Sequence, residues 1–541
     1  MDEVPIDKEK YEKCVKTLII GAGISGLSAA NHLVKNNDLD FILLEAKDKI
    51  GGRITSVEIQ GEKFELGANR IHGVLGNPMY EIAMIHNLID IIQIPKPHKV
   101  VAALEDGKQV PFSILQEIFE AYSCFLHRCE EYFLCQYMPP EGINSVGEHI
   151  NLEATLYLEK ISDQDQKHIR NLIFQCLLKR ETCISGCDTM NDIDLLELGS
   201  YVELQGGNIS LPNGYTSILD PIVGLIPREN LLLNHEVTKI TWADESAYRA
   251  DSEDSDDSSR TIVEESSVSS KRVSNSSNDP ESNIPVKRVE VVCNNGIKFL
   301  AETVICSLPL GVLKSSARTL FTPQLPNYKL EAIDRLLFGT VNKIFLYYDR
   351  PFLNADVSEV LLLWNETTSQ SEDNLSSSWF KKIYSFSKVS ETLLLGWISG
   401  KEAEFMETLS EQEIGETCTN ILRKFLNDPF IPKPKLCVCS RWHSDTYSKG
   451  SYTAMAVGAT QFEIEQIREP LYSHSLQTRP AVMFVGEHTH TNFYSTVHGA
   501  YLSGRNAAQF LIDCALLGTE IVIDCKDTSD LSSFIQEMSL Q

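Results

Sequence analysis

The stretch TLIIGAGISG, residues 17–26, is a short apolar run that leads directly into a G-x-G-x-x-G pattern. The residues that follow it, LSAANHL, have helical spacing, so the segment predicts a strand, a tight turn and a helix. Gly21 permits the turn, Gly23 lets the backbone approach a pyrophosphate, and Gly26 lets the helix pack closely on the strand. The N–H groups at the helix N-terminus would face the phosphates. The glycine pattern alone can also occur by chance in an ordinary turn, so the flanking sequence is needed to distinguish a dinucleotide site from such a turn.

A second strand-like run, FILLE at residues 41–45, ends in an acid about 20 residues after the glycines. The carboxylate of Glu45 can accept hydrogen bonds from ribose hydroxyls and would repel a 2′-phosphate, which disfavours NADP. Gly52 and Arg53 follow in another glycine turn, with a cation that can reach the pyrophosphate. Together these features predict a dinucleotide-binding domain of the α/β class.

Length and composition restrict the kind of protein. A chain of 541 residues with 43% hydrophobic and 23% charged residues predicts a globular protein of two or more domains. We expect no transmembrane helix, because no apolar run reaches 18 residues, and no signal peptide. The expected compartment is therefore the cytoplasm, with the nucleus also possible. The final residues, 538–541, lack a peroxisomal ending of the Ser-Lys-Leu type.

The net charge of −27 indicates that the chain repels nucleic acid and anionic membranes and attracts cations. An acidic surface can also serve only solubility, so the charge does not identify a substrate. The 14 cysteines form no CxxC pair and no cluster at metal-ligand spacing. We expect reduced, mostly buried thiols and no metal site.

Residues 244–283 differ from the rest of the chain because they are rich in Ser, Asp and Glu and poor in large apolar residues. Such a segment cannot bury enough apolar surface to offset its ordering entropy, which predicts a disordered acidic insert. Strand-like sequence lies on both sides, at residues 236–240 and 289–292. We therefore expect a long hairpin loop and no domain boundary. Helical spacing at residues 114–133 and 164–178 predicts a mostly helical middle, and residues 343–348 and 392–397 are typical of strands.

Three further motifs carry a family resemblance: FELGANRIHG at residues 64–73, FVGEHT at 484–489 and FYSTVHGAYLSG at 493–504. With the glycine motifs, they resemble the flavin-dependent amine oxidases, and most of all the polyamine oxidases that act on spermine or N1-acetylated polyamines. The resemblance covers roughly residues 15–515 apart from the acidic insert. It implies an α/β fold with a split FAD-binding Rossmann-like domain and a second, α+β substrate-binding domain. The implied FAD-binding segments are 1–94, 206–308 and 437–541, and the substrate-domain segments are 95–205 and 309–436.

The resemblance also implies how the cofactor is bound. Glu45 would contact the adenosine ribose, and Gly52 and Arg53 the phosphates. Glu487 would lie near the ribityl chain, and Trp442 beside the isoalloxazine. The other implied FAD contacts are Gly21, Ala22, Gly23, Ser25 and Gly26 at the phosphates, Ala68, Asn69 and Arg70 near the flavin, the Val237 backbone at the adenine, and Thr496 and Val497 at the pyrimidine edge. Monoamine oxidases attach FAD through a cysteine near the C-terminal motif; residues 484–504 contain none, so we expect non-covalent FAD.

Four residues are candidates for the chemistry. Lys343 matches the family lysine that holds a water at flavin N5. Without the resemblance, the same sequence would also fit a lysine whose side chain extends to the surface. His72 would meet the substrate chain and help to deprotonate the amine, or be an ordinary structural histidine. Tyr452 and Thr496 would flank the reacting amine, and Tyr452 could equally be a packing aromatic. The implied activity is oxidation of a polyamine by hydride transfer to the flavin, with O₂ reduced to peroxide and the imine hydrolysed.

Arg70 departs from the family pattern, which usually has Trp at this position. A cation there could bind the carboxylate of an α-amino acid, so an FAD oxidase of another substrate class stays open. A catalytically weak flavoprotein with a regulatory role, using the acidic insert as a contact segment, is the second alternative. The sequence does not determine the oligomeric state.

Overall fold

The computed structural model describes residues 13–89, 98–243, 288–365, 375–473 and 479–517. Within these ranges the chain forms twenty strands. In chain order, they are β1 Lys13–Ile20, β2 Phe41–Leu44, β3 Ser56–Ile59, β4 Glu62–Glu65, β5 Ile71–His72, β6 Lys99–Leu104, β7 Asn208–Ile209, β8 Leu231–Leu232, β9 Val237–Thr241, β10 Val289–Cys293, β11 Lys298–Cys306, β12 Phe321–Thr322, β13 Leu337–Gly339, β14 Val341–Tyr347, β15 Val357–Leu363, β16 Ser385–Ser390, β17 Leu393–Ser399, β18 Leu436–Cys439, β19 Tyr452–Ala454 and β20 Val482–Phe484.

The same ranges contain thirteen α-helices, with short 3₁₀ turns between several of them. The helices are α1 Ile24–Lys35, α2 Pro78–Ile85, α3 Phe112–Cys135, α4 Val146–Leu158, α5 Gln164–Ser185, α6 Asp220–Val223, α7 Leu310–Leu320, α8 Asn327–Arg335, α9 Leu375–Ser378, α10 Gly400–Met406, α11 Glu411–Phe425, α12 Gln461–Arg468 and α13 Val497–Leu517. No helix in the described part of the chain is long and apolar enough to cross a membrane.

Eight strands from distant parts of the chain form the first sheet. Its order is β12-β9-β10-β11-β1-β2-β8, and β20 pairs in parallel with the end of β11. The centre is parallel, since β1 pairs in parallel with both β2 and β11. Strands buried on both faces are expected to be continuously apolar, and residues 17–20 and 41–44 are fully buried. One face packs against α1 and α13, and the other against a cluster that includes α7 and α8.

Six strands form a second sheet in the order β18-β14-β17-β16-β15-β6. One of its faces packs against the long helices α3, α4 and α5, and the other against α10 and α11. The two sheets and their helices form an α/β fold whose first sheet is of the Rossmann type and is assembled from separate chain segments, with an α+β part around the second sheet, which agrees with the fold class that the resemblance implies. The predicted substrate segment 309–436 includes α7, α8 and β12, which pack on the first sheet; the domain limits stay predictions.

The local predictions agree with the structure. The glycine pattern joins β1 to α1, the predicted helices correspond to α3 and α5, and the predicted strands correspond to β14 and β17. The strands on either side of the acidic insert, β9 and β10, pair in antiparallel fashion with Glu290 opposite Thr241. This is the geometry of a hairpin. The insert itself, residues 244–283, and the C-terminal residues 538–541 lie outside the described residues.

Candidate active site

A large cavity of about 2880 Å³ brings the predicted site residues together. Every one of them lines it except Ala22 and Gly26, which lie in the turn behind its wall. The wall is built from the first sheet, the second sheet and the helix α5. The cavity therefore joins a dinucleotide-type turn to the predicted chemistry residues in one continuous space.

The turn between β1 and α1 has the conformation that its glycines permit. Gly21 has a φ of +96°, which side chains with a Cβ rarely adopt. A Cβ on Gly26 would lie 2.0 Å from the carbonyl oxygen of Gly21, so only glycine lets the helix approach the strand this closely. A Cβ on Gly23, in contrast, would meet no atom within 4 Å. The backbone at Gly23 thus faces open space in the cavity, where a pyrophosphate can approach it.

Glu45 follows β2 and is buried, with 8% of its surface exposed. Its carboxylate accepts hydrogen bonds from the N–H of Ala22 at 2.8 Å and from the N–H of Lys47 at 2.9 Å. The side chain therefore holds the glycine turn as well as lining the cavity. Each carboxylate oxygen has a further lone pair, which leaves capacity for a ribose hydroxyl.

Arg53 and Glu487, which are far apart in sequence, form an ion pair with Nη1 2.9 Å from Oε1. The same Nη1 donates to the carbonyl oxygen of Ser451 at 2.7 Å. Glu487 also accepts hydrogen bonds from Thr453 Oγ1 at 3.0 Å and from the N–H of Ser495 at 2.9 Å. Burial raises the pKa of Glu487, but the Arg53 charge and these donors outweigh it, so the pKa lies below its ordinary value. Nε and Nη2 of Arg53 donate to no group in the described residues, which keeps them available for a phosphate.

Lys343 on β14 is buried, with 3% of its surface exposed, so it does not extend to the surface. Its Nζ donates to the carbonyl oxygens of Glu65 at 2.8 Å and Gly67 at 2.5 Å, and lies 5.0 Å from the ring centre of Trp397. Burial lowers the pKa of Lys343 to about 7, with a further lowering by Arg70 and an opposing effect of Glu65. An ammonium has three donors, so one remains for a water or a substrate atom.

The loop after Gly67 carries Ala68, Asn69 and Arg70 into the cavity wall. The N–H of Ala68 donates to the carbonyl oxygen of Arg53 at 3.1 Å, which joins this loop to the phosphate end of the site. The guanidinium of Arg70 is exposed and has no hydrogen-bond or ion-pair partner in the described ranges. Arg70 is thus an unpaired cation inside the cavity.

His72 is exposed to the cavity and is not a packed core residue. Its Nδ1 lies 2.9 Å from Asn208 Oδ1, which fixes the orientation of the ring. The protein around the cavity lowers the pKa of His72, and the charge of Arg70 adds to this, while Asn208 and Glu203 oppose it. A lowered pKa favours the neutral imidazole, which can accept a proton from an amine.

Tyr452 and Thr496 are both engaged by backbone groups. The Tyr452 hydroxyl donates to the carbonyl oxygen of Cys183 at 2.5 Å, which holds the ring against α5. Thr496 Oγ1 donates to the carbonyl oxygen of Phe493 at 2.7 Å and accepts from the N–H of Gly499 at 3.0 Å, so it caps the start of α13. The remaining predicted contacts, Ser25, Gly52, Val237, Trp442 and Val497, line the same cavity.

These residues fit FAD by their own geometry. The open backbone at Gly23 and the free donors of Arg53 suit a pyrophosphate, and the cavity continues without interruption to Lys343. The described residues contain no group of three or more His, Cys, Asp or Glu side chains placed to hold a metal ion.

Sequence reasoning missed several residues of the site. Ser307 follows β11 as Gly21 follows β1, and its Oγ donates to the carbonyl oxygen of Ile20 at 2.6 Å beneath the glycine turn. The signal was present, because a buried strand ends there in a polar residue. Glu181 and Glu197 line the cavity with buried carboxyl oxygens that have no hydrogen-bond donor. Nothing in their local sequence distinguishes them from acids on the protein surface.

The chain is similar to known flavin-containing amine oxidoreductases along most of its length. A profile of the flavin-containing amine oxidoreductases matches residues 24–263 and 271–512. The peroxisomal N(1)-acetyl-spermine/spermidine oxidase of Homo sapiens is 30% identical over 521 residues, covering 92% of this chain and 94% of that protein. Probable polyamine oxidase 5 of Arabidopsis thaliana is 26% identical, covering 92% of this chain and 98% of its own.

Among solved structures, a redesigned double mutant of putrescine oxidase superposes with a TM-score of 0.61 at 15% identity. The match covers 92% of this chain and 99% of that one. At this identity the likeness concerns the fold. The family profile spans most of the chain and the human relative aligns along nearly all of it, so the chain belongs to the flavin-containing amine oxidoreductases and is an FAD-dependent amine oxidase.

Proposed function

We propose that the chain oxidises a polyamine, namely spermine or an N1-acetylated spermine or spermidine. A hydride leaves the carbon next to a secondary amine, O₂ is reduced to H₂O₂, and water hydrolyses the imine to an aldehyde and a shorter amine. The chemistry that bound FAD supplies is this two-electron oxidation. The protein has to bind a cationic chain, remove a proton from one amine and keep that amine in place.

The observation that carries the proposal is a pair of acids in the cavity, Glu181 and Glu197, each with one buried carboxyl oxygen that accepts no hydrogen bond. Glu181 has 8% of its surface exposed, and its Oε1 has no hydrogen-bond donor; the Oε2 of Glu197 also has none. Burial raises the pKa of both carboxyl groups, and Asp194 adds to the effect at Glu197. Glu197 has no cationic partner among the described residues, and Glu181 has only Arg180, whose Nη2 lies 3.5 Å from Oε1. Ammonium groups of a ligand would supply the hydrogen-bond donors that these two oxygens lack.

Deprotonation of the reacting amine is favoured in the part of the cavity that contains Lys343. Lys343 places positive charge near the predicted reaction centre, and the drier surroundings disfavour a second ammonium there. His72 is exposed to the cavity and can take the proton. The cavity thus offers acids for the charged parts of the substrate and the buried cation of Lys343 beside the amine that must become neutral.

The test is peroxide release from spermine, acetylated polyamines, monoamines and α-amino acids. We expect the highest kcat/KM for a polyamine and a fall in kcat/KM as ionic strength rises, because screening weakens attraction to a chain of net charge −27. Glu181→Gln should raise KM for the polyamine several-fold, while Glu159→Gln, which removes the same charge from an exposed helix end, should not. A preference for monoamines would overturn the proposal.

A second function is favoured by one observation. The unpaired guanidinium of Arg70 in the cavity could hold the carboxylate of an α-amino acid. In that case, the same panel would give the highest kcat/KM for an amino acid.

A further inference from the structure

A second acidic position lies in the cavity, on the six-stranded sheet. Glu359 on β15 lines the cavity and is half-buried. Its Oε1 accepts hydrogen bonds from Ser385 Oγ at 2.6 Å and Ser387 Oγ at 3.3 Å, both on β16. Its Oε2 accepts no hydrogen bond, and neither oxygen pairs with a cation, among the residues that the structure describes. The free oxygen of this carboxylate can therefore accept a hydrogen bond from a cationic ligand in the cavity.

The pairing of the strands places Glu359 on the same face of the sheet as Lys343. Lys343 is opposite Trp397, Leu395 is opposite Ser387, and Ser387 is opposite Glu359. Paired residues share a face, as do residues two apart on one strand, so these five side chains form a continuous path across the sheet. All five line the same cavity.

The length of this path follows from sheet geometry. Three strand-to-strand steps separate β14 from β15, and the path also moves two residues along β17. With strands about 4.8 Å apart and residues about 3.3 Å apart, the two ends are separated by roughly 15 Å. Its middle, at Trp397 and Leu395, is apolar, and its two ends are polar. A linear polyamine, in which alkyl segments separate charged nitrogens, has the same polar–apolar–polar order.

Other charges near Glu359 are already paired. Lys388 on β16 donates to the carbonyl oxygens of Asn354 at 3.2 Å and Ala355 at 3.1 Å and to Glu391 Oε1 at 3.1 Å. Arg180 on α5 lies 3.5 Å from Glu181 Oε1. Neither of these two cations is therefore a partner of Glu359.

We propose that Glu359, oriented by Ser385 and Ser387, binds the distal ammonium group of a linear polyamine whose reacting amine lies beside Lys343. This inference rests on the proposed function and adds the requirement that the far end of the substrate is a charged amine. An acetylated end, which has no charge, would have to lie in the opposite direction.

The test is competitive inhibition by α,ω-diaminoalkanes of increasing length, with n-alkylamines of equal length as single-charge controls. In the wild type, diamines should gain affinity over monoamines once the chain spans the path. Glu359→Gln keeps an acceptor for both serines and removes the charge, so it should remove that gain, about five- to ten-fold, and leave monoamines unchanged. Glu359→Asp should restore part of the gain. Asp356→Asn, which removes a charge from the exposed residue beside β15, should have no effect.

Two outcomes would overturn the proposal: a diamine advantage that survives Glu359→Gln, or an equal loss for diamines and monoamines. A melting temperature close to that of the wild type shows that the serine contacts persist. The proposed function is tested separately: it is wrong if the wild type oxidises no polyamine, regardless of how the diamines inhibit.

Discussion

The side-chain nitrogen of Lys343 lies 2.8 Å from the backbone carbonyl oxygen of Glu65, and this contact joins the six-stranded sheet to the end of β4. A second hydrogen bond from the same nitrogen goes to the carbonyl oxygen of Gly67, two residues further on, in the loop that follows β4. A Cβ on Gly67 would lie 1.8 Å from the carbonyl oxygen of Arg53, so the loop is packed tightly on the phosphate end of the site. One buried ammonium thus links the predicted reaction centre to the predicted cofactor cradle.

Lys343→Met should leave FAD bound and slow turnover by about ten-fold or more, the low end of the effect of losing a proton-transfer or positioning group. Stopped-flow reduction and reoxidation of the flavin measure it. The control is Lys329→Met: Lys329 is also fully buried and donates to backbone carbonyls, at Ile467 and Glu469, but does not line the cavity. That variant should lose stability and keep its rates. Unchanged rates in Lys343→Met would contradict the assignment.

Glu487→Gln should destabilise the protein at neutral pH by roughly 2 to 4 kcal/mol, because it leaves Arg53 without its charged partner. The pKa of Glu487 is lowered in the folded state, so the ionised group stabilises the fold above its ordinary pKa, and this stability is lost as pH falls through the lower folded value. The difference in melting temperature between variant and wild type should therefore shrink below about pH 4.5. A difference that is constant with pH would show that the ion pair contributes little.

FAD should be bound without a covalent link, since residues 484–504 contain no cysteine. Acid precipitation should release the flavin into the supernatant, where its absorbance is measured. Flavin that stays with the pellet would show a covalent bond elsewhere in the chain.

Much of the nucleotide end could be predicted because its signals are local. The turn at Gly21 and Gly26 needs glycine for reasons of backbone geometry, and the strand before it is apolar because it is buried on both faces. The path from Lys343 to Glu359 could not be predicted, because it depends on the order and register of strands far apart in sequence. The missing donors at Glu181 Oε1 likewise depend on the packing of α5, which no local pattern encodes.

Residues 246–282 should be dispensable for catalysis. The prediction rests on their composition and on the antiparallel pairing of β9 with β10, which a short turn can connect. A deletion variant joined by such a turn should keep the flavin spectrum and kcat/KM within about two-fold of the wild type. An apoprotein or an inactive product would show that the segment contributes to the fold.

Arg70→Trp should retain polyamine turnover or improve it by up to about ten-fold, because the unpaired cation repels an ammonium in the cavity. Arg70→Gln removes the same charge without adding a ring, so comparing the two variants separates charge from shape. The charge of Arg70 lowers the pKa of both Lys343 and His72, so both pKa values should rise in either variant. The pH profile of kcat/KM would show this as a shift toward higher pH. If the wild type instead prefers an α-amino acid and both variants abolish that activity, Arg70 binds a substrate carboxylate and the polyamine assignment is wrong.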